Sequence, residues 1–492
     1  MNGLFCHDLP TQPLRDAGTV LVTGASGYIG GRLVPELTAR GYRVRVMVRA
    51  DATTCRVRWP DVEPVEADAL NPESLEKALA GVHTAYYLIH SLLLGPRGFE
   101  TADRLSAIHF RDAAARSGVE RIIYLGGLGD RRTSKSRHLQ ARMQVADELK
   151  GGPVPVTTLR AAIIIGSGSA SYEIIHHLVS RLPVLFIPRW ARTRCQPIAI
   201  RDVIKYLVGV LETSETRGMD LDIGGPEILT YEIMLKTFAE VIHKNNLFPS
   251  APISYLPFYA YLASLLTPVP APITLSLMEG LKDEVVCRNN HIRRLIPFEP
   301  LSYREAVVRA LTREEQDRVY TRWSDAYPRD CELAIKLKEV RSGPSYSVSY
   351  AVFSDKSFQA LFRSVCRVGG KQGWFHNNWM WRVRGSWDRV LFGVGSQRGR
   401  KSASRLHIND VVDFWRVEDL RENESLLLRS EMKLPGRAWL KFSLGEEGER
   451  RKLSITAYFD ARGLFGKIYW YLFWPFHHSI FRGLIEQIER RA

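Results

Sequence analysis

Three evenly spaced glycines in Thr23-Gly24-Ala25-Ser26-Gly27-Tyr28-Ile29-Gly30 constrain this chain more than any other stretch. An apolar run, Val20-Leu21-Val22, precedes them, and a helical pattern, Gly31-Arg32-Leu33-Val34-Pro35-Glu36-Leu37, follows. The glycines therefore fall at a strand-to-helix turn. A helix start offers unpaired backbone N–H groups and the positive end of the helix dipole, and side chains at the glycine positions would hold an anion away from them. The spacing is G-x-x-G-x-x-G rather than the usual G-x-G-x-x-G dinucleotide fingerprint, so the context carries the inference: strand before, helix after, and a second strand, Arg43 to Val48, beyond. A nucleotide phosphate site is expected here, bordered by Gly24, Ser26, Gly27, Tyr28, Ile29 and Gly30.

Residues 19 to 150 continue as alternating strands and helices, which predicts an α/β fold with a doubly wound parallel sheet. The second strand ends Val46-Met47-Val48-Arg49. An acid at this position suits the ribose hydroxyl of NAD and an arginine the extra phosphate of NADP, so Arg49 favours NADP while Asp51 keeps NAD open. A third strand, Val62 to Glu66, leads to Asp68 and Ala69, expected to meet the adenine. Pro72 sits where a helix start tolerates the missing N–H. The fourth strand, Thr84 to Ser91, is expected to bring Leu88 and His90 beside the nicotinamide ribose, and the fifth, Arg121 to Leu125, closes on Gly126 and Gly127.

At 492 residues the chain exceeds one hydrophobic core, so two or three domains are expected. Its six cysteines are scattered without a C-x-x-C pair, which argues against a disulfide framework and a zinc site. The adjacent pairs His176-His177 and His477-His478 cannot face one ligand from a helix, so no metal centre is expected. The N-terminus lacks signal-peptide character and no run of about 18 apolar residues occurs, which points to a cytoplasmic chain. The net charge of +15 is uneven: between Arg363 and Arg405, ten Lys or Arg stand against Asp388 alone. A solvated basic face is the commoner explanation for such a run, and no nucleic-acid partner is expected.

Thr23 to Gly30, Asp68, Arg121 to Gly127, Thr158-Leu159-Arg160, Pro197 to Val203 and Asp222-Ile223-Gly224-Gly225-Pro226 together resemble an atypical, extended short-chain dehydrogenase/reductase. The likeness is to the isomerase- or NmrA-like group that includes the nucleotide-binding accessory subunit of respiratory complex I. It covers residues 19 to about 312 and implies a Rossmann domain binding NADP, or less readily NAD, with a cap from 163–195 and 223–312 over the cofactor. The resemblance also implies a catalytic Ser or Thr after the fifth strand and Tyr-x-x-x-Lys on the next helix. Here Gly126 and Gly127 stand in the first place, and His138-Leu139-Gln140-Ala141-Arg142 in the second. The spacing survives as His-x-x-x-Arg on one helical face. His138 is the candidate proton donor, Arg142 its modulator or anion clamp, and His90 a substitute, set against the reading that the catalytic pair is lost. Residues 253 to 281 are apolar but broken by Pro257, Pro268, Pro270 and Pro272, and read as short buried helices.

A charged stretch, 313–344, is expected as a linker. Beyond it the apolar period changes to alternation: Leu426 to Leu434, Ala438 to Leu444 and Leu453 to Phe459 read as antiparallel strands, with a turn over Gly445 to Arg450. A long terminal helix follows, with Leu464, Phe465, Ile468, Tyr469, Leu472, Phe476, Ile480, Leu484 and Ile488 on its apolar side and Pro475 as a kink. Meander plus terminal helix is similar to the helix-grip fold of START and polyketide-cyclase-like proteins. Asp413 to Val417 and Met432 to Leu440 also resemble a domain of unknown function that often follows such dehydrogenases. This likeness covers about 345–492 and implies an apolar cavity lined by Trp374, Phe375, Trp379, Trp381, Phe414 and Trp415, against a filled core as the alternative. The combined expectation is an NADP-binding, oxidoreductase-like protein that acts on or hands over an apolar small molecule. Its rival is a non-catalytic NADP-bound scaffold or redox sensor. Peripheral membrane contact, through Arg398 to Arg405 and the aromatic terminal helix, ranks below both.

Overall fold

Short apolar runs bounded by turn residues build the first sheet: β1 (Thr19–Val22), β2 (Arg43–Val48), β3 (Glu63–Glu66), β4 (Val82–Tyr87), β5 (Arg121–Gly127) and β6 (Val156–Ala161). In the computed structural model all residues are described except 1–3, 15–17, 50–51, 91–98, 131, 133, 135, 316–320, 326–334, 341–342, 392, 396–397, 401–405 and 449. Between these strands run α1 (Gly30–Ala39), α2 (Ala52–Arg58), α3 (Pro72–Leu79), α4 (Phe99–Arg116) and α5 (Arg137–Lys150). Two-residue strands β7 (Ile164–Ile165) and β9 (Ile198–Ala199) pair in parallel, and β8 (Arg194–Cys195) pairs with β11 (Leu229–Thr230) antiparallel. With β10 (Asp220–Ile223) the main sheet has seven parallel strands in the order β10-β6-β5-β4-β1-β2-β3.

Helices cover both faces, so the strands are apolar on both sides. Along β1, Val20 and Val22 join the core with Leu33, Val34 and Leu37 of α1, while Leu21 points the other way into the cluster with Leu75 and Phe110. Asn71 accepts from the Ser74 N–H at the start of α3, with Pro72 in the first helical position. The strand order reverses between β1 and β4, and a crevice outside their carboxyl ends is where open α/β sheets bind ligands.

The remainder of this unit carries α6 (Ala170–Arg181), α7 (Ile200–Glu212), α8 (Tyr231–Val241), α9 (Leu256–Leu266), α10 (Ala271–Glu279), α11 (His291–Leu295) and α12 (Tyr303–Glu315). The chain divides into one compact unit of 1–266 with 272–326 and another of 267–271 with 327–492. Part of the stretch expected as a linker belongs to the first unit. Arg32 donates to the Thr321 carbonyl (3.0 Å) and the Trp323 N–H to the Gly168 carbonyl (2.8 Å). The charged composition concealed this because the bonds run through backbone carbonyls. The expected burial of 253–281 holds in part: Leu256 and Ala260 of α9 and Ile273 and Met278 of α10 are buried, whereas Phe258 and Leu262 of α9 are exposed.

The second unit is an antiparallel sheet of six strands flanked by helices. Its strands are β12 (Tyr346–Ser354), β13 (Val411–Val412), β14 (Trp415–Arg421), β15 (Ser425–Ser430), β16 (Gly436–Glu447) and β17 (Arg450–Ala461), in the order β12-β17-β16-β15-β14-β13. Its helices are α13 (Phe358–Val365), α14 (Asn378–Val390), α15 (Gly463–His477) and α16 (Gly483–Arg490). The β16–β17 hairpin pairs through Glu447 and Arg450, tighter than the turn expected over 445–450, and closes on Gly448 at φ +66°. Ladder pairing needs no apolar side chains, so it outlasts the alternation that marks the strand in sequence.

The terminal helix departs from expectation twice. A five-residue π-helical turn, His478–Arg482, separates α15 from α16, shortly after Pro475 removes a helix N–H. Along α15, Leu464, Phe465, Ile468, Leu472 and Phe476 are exposed, and Gly466 and Trp470 face the sheet instead. The helix is apolar all round, so its period does not say which side is buried. Leu484 and Ile488 of α16 are buried as expected.

Of the aromatics expected around a cavity, Trp379 is exposed. Trp374 stacks on Trp381 (4.7 Å between centroids) and Phe414 packs at a tilt against Trp415 (5.4 Å), with Trp374 Nε1–H donating to Asp413 (2.9 Å). They fill space against one another.

Candidate functional site

The glycine turn is tied to the neighbouring strand through Thr23. Thr23 donates from N and Oγ1 to the Tyr86 carbonyl (3.0 and 2.9 Å), and the Leu88 N–H donates back to Thr23 Oγ1 (3.0 Å). That ties the turn to the end of β4. Gly24 lies at φ +61°, and a Cβ there would stand 2.6 Å from the Leu88 carbonyl oxygen. A Cβ on Gly30 would meet the Gly24 carbonyl oxygen at 2.4 Å. The N–H groups of Ser26, Tyr28 and Ile29 meet no acceptor among the described residues. A glycine cradle with outward N–H groups at the start of α1 fits a pyrophosphate.

Tyr28 props the turn from behind. The Arg32 guanidinium covers its ring (4.2 Å), and its hydroxyl is buried against Gly166. Arg32, itself buried, also donates to the Tyr28 carbonyl (3.2 Å) and the Ser167 carbonyl (2.8 Å). This anchoring role was not read from the sequence, where Arg32 stood only within the helical pattern after the glycines. Arg49 is exposed at the end of β2, and Asp51 and Ser91 lie outside the described residues. Asp68 accepts from the Leu70 N–H (2.9 Å) beside the buried Ala69, beyond the end of β3.

At the end of β4, His90 meets His138 of α5, with ring centroids 5.0 Å apart. His90 Nδ1–H donates to the Asp103 carboxylate (3.0 Å), a buried side chain of α4. The imidazole is 26% exposed. The donation directs the Nε2 lone pair of His90 away from Asp103, and neither His90 Nε2 nor His138 Nδ1, both buried atoms, has a hydrogen-bond partner among the described residues. Burial lowers the His90 pKa and Arg142 lowers it further, while Asp103 opposes them. His138 is driven well below the ordinary imidazole value by burial first, then by His90 and Arg142, against Asp103. At neutral pH His138 is therefore a neutral N–H donor.

Sequence reasoning missed Asp103. Its signal was present: Asp103, Ser106, Ala107, Phe110, Ala113 and Ala114 form the buried stripe of α4, and a carboxylate on such a stripe needs a partner.

Arg142 is corrected as an anion clamp. Its guanidinium donates to the Leu125 carbonyl and more distantly to the Ile89 carbonyl (3.4 Å), and lies over the Tyr124 ring (4.9 Å). It braces the ends of β4 and β5. Beside it, a Cβ on Gly127 would stand 2.8 Å from Leu139 Cδ2, and one on Gly126 3.0 Å from Tyr124 Cε1. A side chain at either position at the end of β5 would crowd these neighbours.

The turn, the strand order and the crevice define a Rossmann unit, and its family match is to NAD(P)H binding. Residues 24–175 match a family model described as NAD(P)H-binding, and residues 343–484 match one described as a protein of unknown function, DUF2867. The chain is 29% identical over 211 residues to a ceramide reductase of Caulobacter vibrioides, covering 41% of this chain and 65% of that one. It therefore spans less than two thirds of that relative's length. It is 22% identical over 291 residues to the mitochondrial NADH dehydrogenase [ubiquinone] 1 alpha subcomplex subunit 9 of Arabidopsis thaliana, covering 55% and 71%. Among solved structures, Citrobacter sp. triphenylmethane reductase complexed with NADP(H) aligns with a TM-score of 0.49 at 19% identity, over 59% of this chain and 99% of that one. No helix among the described residues is long and apolar enough to cross a membrane.

Proposed function

We propose that the first unit is an NADPH-dependent reductase acting on a carbonyl or conjugated double bond of an apolar small molecule, with His90 moving the proton. One observation carries this reading: Asp103, His90 and His138 converge at the end of β4, the strand beside the cofactor turn at the switch point. Gly24 to Gly30 would hold the pyrophosphate, Asp68 and Ala69 the adenine end, Arg49 the 2′-phosphate, and Leu88 and Gly126 the nicotinamide side. When bound, the nicotinamide cofactor supplies the hydride. Asp103 orients His90 with Nε2 free to act and favours its imidazolium form. In reduction that imidazolium gives its Nε2 proton to the oxygen or carbon gaining charge and returns to neutral. His138, held neutral, donates a hydrogen bond to the same developing charge. Arg142 keeps the two strand ends in register around them.

The test is turnover of NADPH, and separately NADH, with a panel of carbonyl and enone compounds, comparing His90→Ala and His138→Ala. Loss of turnover in His90→Ala with intact cofactor binding supports the reading, and unchanged turnover removes His90 from it. The non-catalytic reading draws on the packing of Leu139 and Tyr124 against Gly127 and Gly126, which crowds the position of the usual hydroxyl. A nucleotide that co-purifies and resists dialysis, with no turnover on the panel, favours that alternative.

A further inference from the structure

Helix α15 presents a second apolar face that the fold does not use. Its inner stripe packs on the sheet, where Trp470 stacks on Tyr346 (5.3 Å) and Phe459 (5.8 Å). Its outer face shows Leu464, Phe465, Tyr471, Leu472, Trp474 and Phe476, each 46–80% exposed. At about 150–250 Å² per full side chain, this face is on the order of 700 Å², more than a monomer ordinarily leaves in one patch. Helix α14, in the same unit, adds Trp379, Val383, Trp387 and Leu391 at helical spacing, 48–64% exposed. Arg384 of α14 reaches Tyr469 Oη of α15 (3.4 Å), so the two helices adjoin.

Along α15 the formal charge has one sign. From Ala461 to Ile485 there is no Asp or Glu, while Arg462, Lys467 and Arg482 lie within the stretch, Arg482 paired with Glu486 beyond it (3.1 Å). Residues 345–492 carry 25 Lys and Arg against 15 Asp and Glu, compared with 43 against 38 in residues 1–344. The basic stretch expected to begin at Arg398 contributes less than its sequence suggests, because Arg398 is buried against Glu431 (2.5 Å) and 401–405 lie outside the described residues. At 15 residues α15 is about 22 Å long, too short to span a bilayer.

We propose that α15, with α14 beside it, lies in the surface of an anionic lipid bilayer, its outer face seated at the boundary of headgroups and acyl chains. The polar groups on the outer face of α15 are the Lys467 ammonium, the Tyr471 hydroxyl and the Trp474 N–H, groups that settle at a bilayer interface. The positive surplus matches anionic headgroups. A protein partner of ordinary kind would need a polar rim with paired hydrogen bonds, and a second copy would bring two units of like charge together. The inference rests on the second unit and is independent of the reductase reading.

The experiment sediments the full chain with vesicles of phosphatidylcholine, with and without phosphatidylglycerol, at low and high salt. The expected result is binding to the anionic vesicles that weakens with salt, and roughly tenfold or greater loss in Phe465→Glu/Leu472→Glu. Both side chains are exposed, so the variant should melt like the parent; Phe465→Ser/Leu472→Ser serves as a milder pair if it does not. No binding by the parent chain, or equal binding by a folded variant, overturns the proposal. So does self-association without vesicle binding that the same substitutions abolish, which assigns the face to a second copy.

Discussion

Asp103→Asn is the sharpest perturbation of the proposed proton path. The substitution keeps the shape of a buried side chain and removes the charge 3.0 Å from His90 Nδ1. A hydrogen bond to a charged group contributes about 1.5–3 kcal/mol, so the substitution should lower the His90 pKa further and disfavour its proton-carrying form by about that amount. The direction follows from the local charges: Asp103 is the group that raises this pKa, against burial and Arg142. A proton donor must be protonated to act, so reduction fails as pH rises through the His90 pKa. In the variant that failure moves to lower pH, and at neutral pH kcat drops roughly 10- to 150-fold, the equivalent of about 1.5–3 kcal/mol. The assay is kcat against pH on whichever panel compound is reduced, with NADPH affinity measured separately by calorimetry. A His90 proton resonance titrated by NMR reads the same shift without a substrate. An unchanged pH profile with unchanged cofactor affinity would refute the role given to the Asp103–His90 pair.

Gly30→Ala places a methyl group 2.4 Å from the Gly24 carbonyl oxygen, so the turn must open; NADPH affinity by calorimetry should weaken by roughly tenfold or more, about 1.4 kcal/mol, and wild-type affinity would move the cofactor elsewhere. Glu431→Gln leaves Arg398 and Arg416 buried without their shared counter-charge and should cost the second unit about 3–5 kcal/mol in denaturant unfolding. The pH dependence has a definite sign: although burial opposes it, Arg416 and Arg398 hold the Glu431 carboxyl down at about 2, below its ordinary 4.5. That carboxylate stabilises fully above pH 4.5, and the contribution is lost as pH falls toward 2, a loss the Gln variant should lack.

The cofactor turn could be read from the chain because its determinants are local: three glycines, a strand before and a helix after. The parallel sheet followed from alternation of elements, and three of the six strands of the second sheet, β15, β16 and β17, from period-two runs. Long-range pairings were beyond reach. Asp103 lies thirteen residues from His90 and meets it only because α4 packs beside β4. Arg142 read as a partner of His138 because both sit on one helical face, yet the strand-end carbonyls claim its guanidinium. In α15 the composition itself withheld the answer, since a helix apolar on every side has no periodic signal to say which side meets the sheet.

The proposed chemistry lies one strand over from where the resembled family keeps it, and packing gives the reason. After β5, Leu139 and Arg142 of α5 close on Gly127, and Tyr124 closes on Gly126. The carboxylate that can orient a base comes from α4 and reaches the end of β4. Restoring the family's hydroxyl should therefore fail. In Gly127→Ser the new Cβ stands 2.8 Å from Leu139 Cδ2, and Leu139 is buried, so it must move against the core around Ile165 and Tyr172. Overpacking of this kind costs about 1–3 kcal/mol. The expected outcome is a lower melting temperature with no gain in turnover, measured by thermal unfolding and the NADPH assay together. A Gly127→Ser protein that melts like the parent and turns over faster would show that the hydroxyl position is still competent, and would return the proton chemistry to β5 and α5.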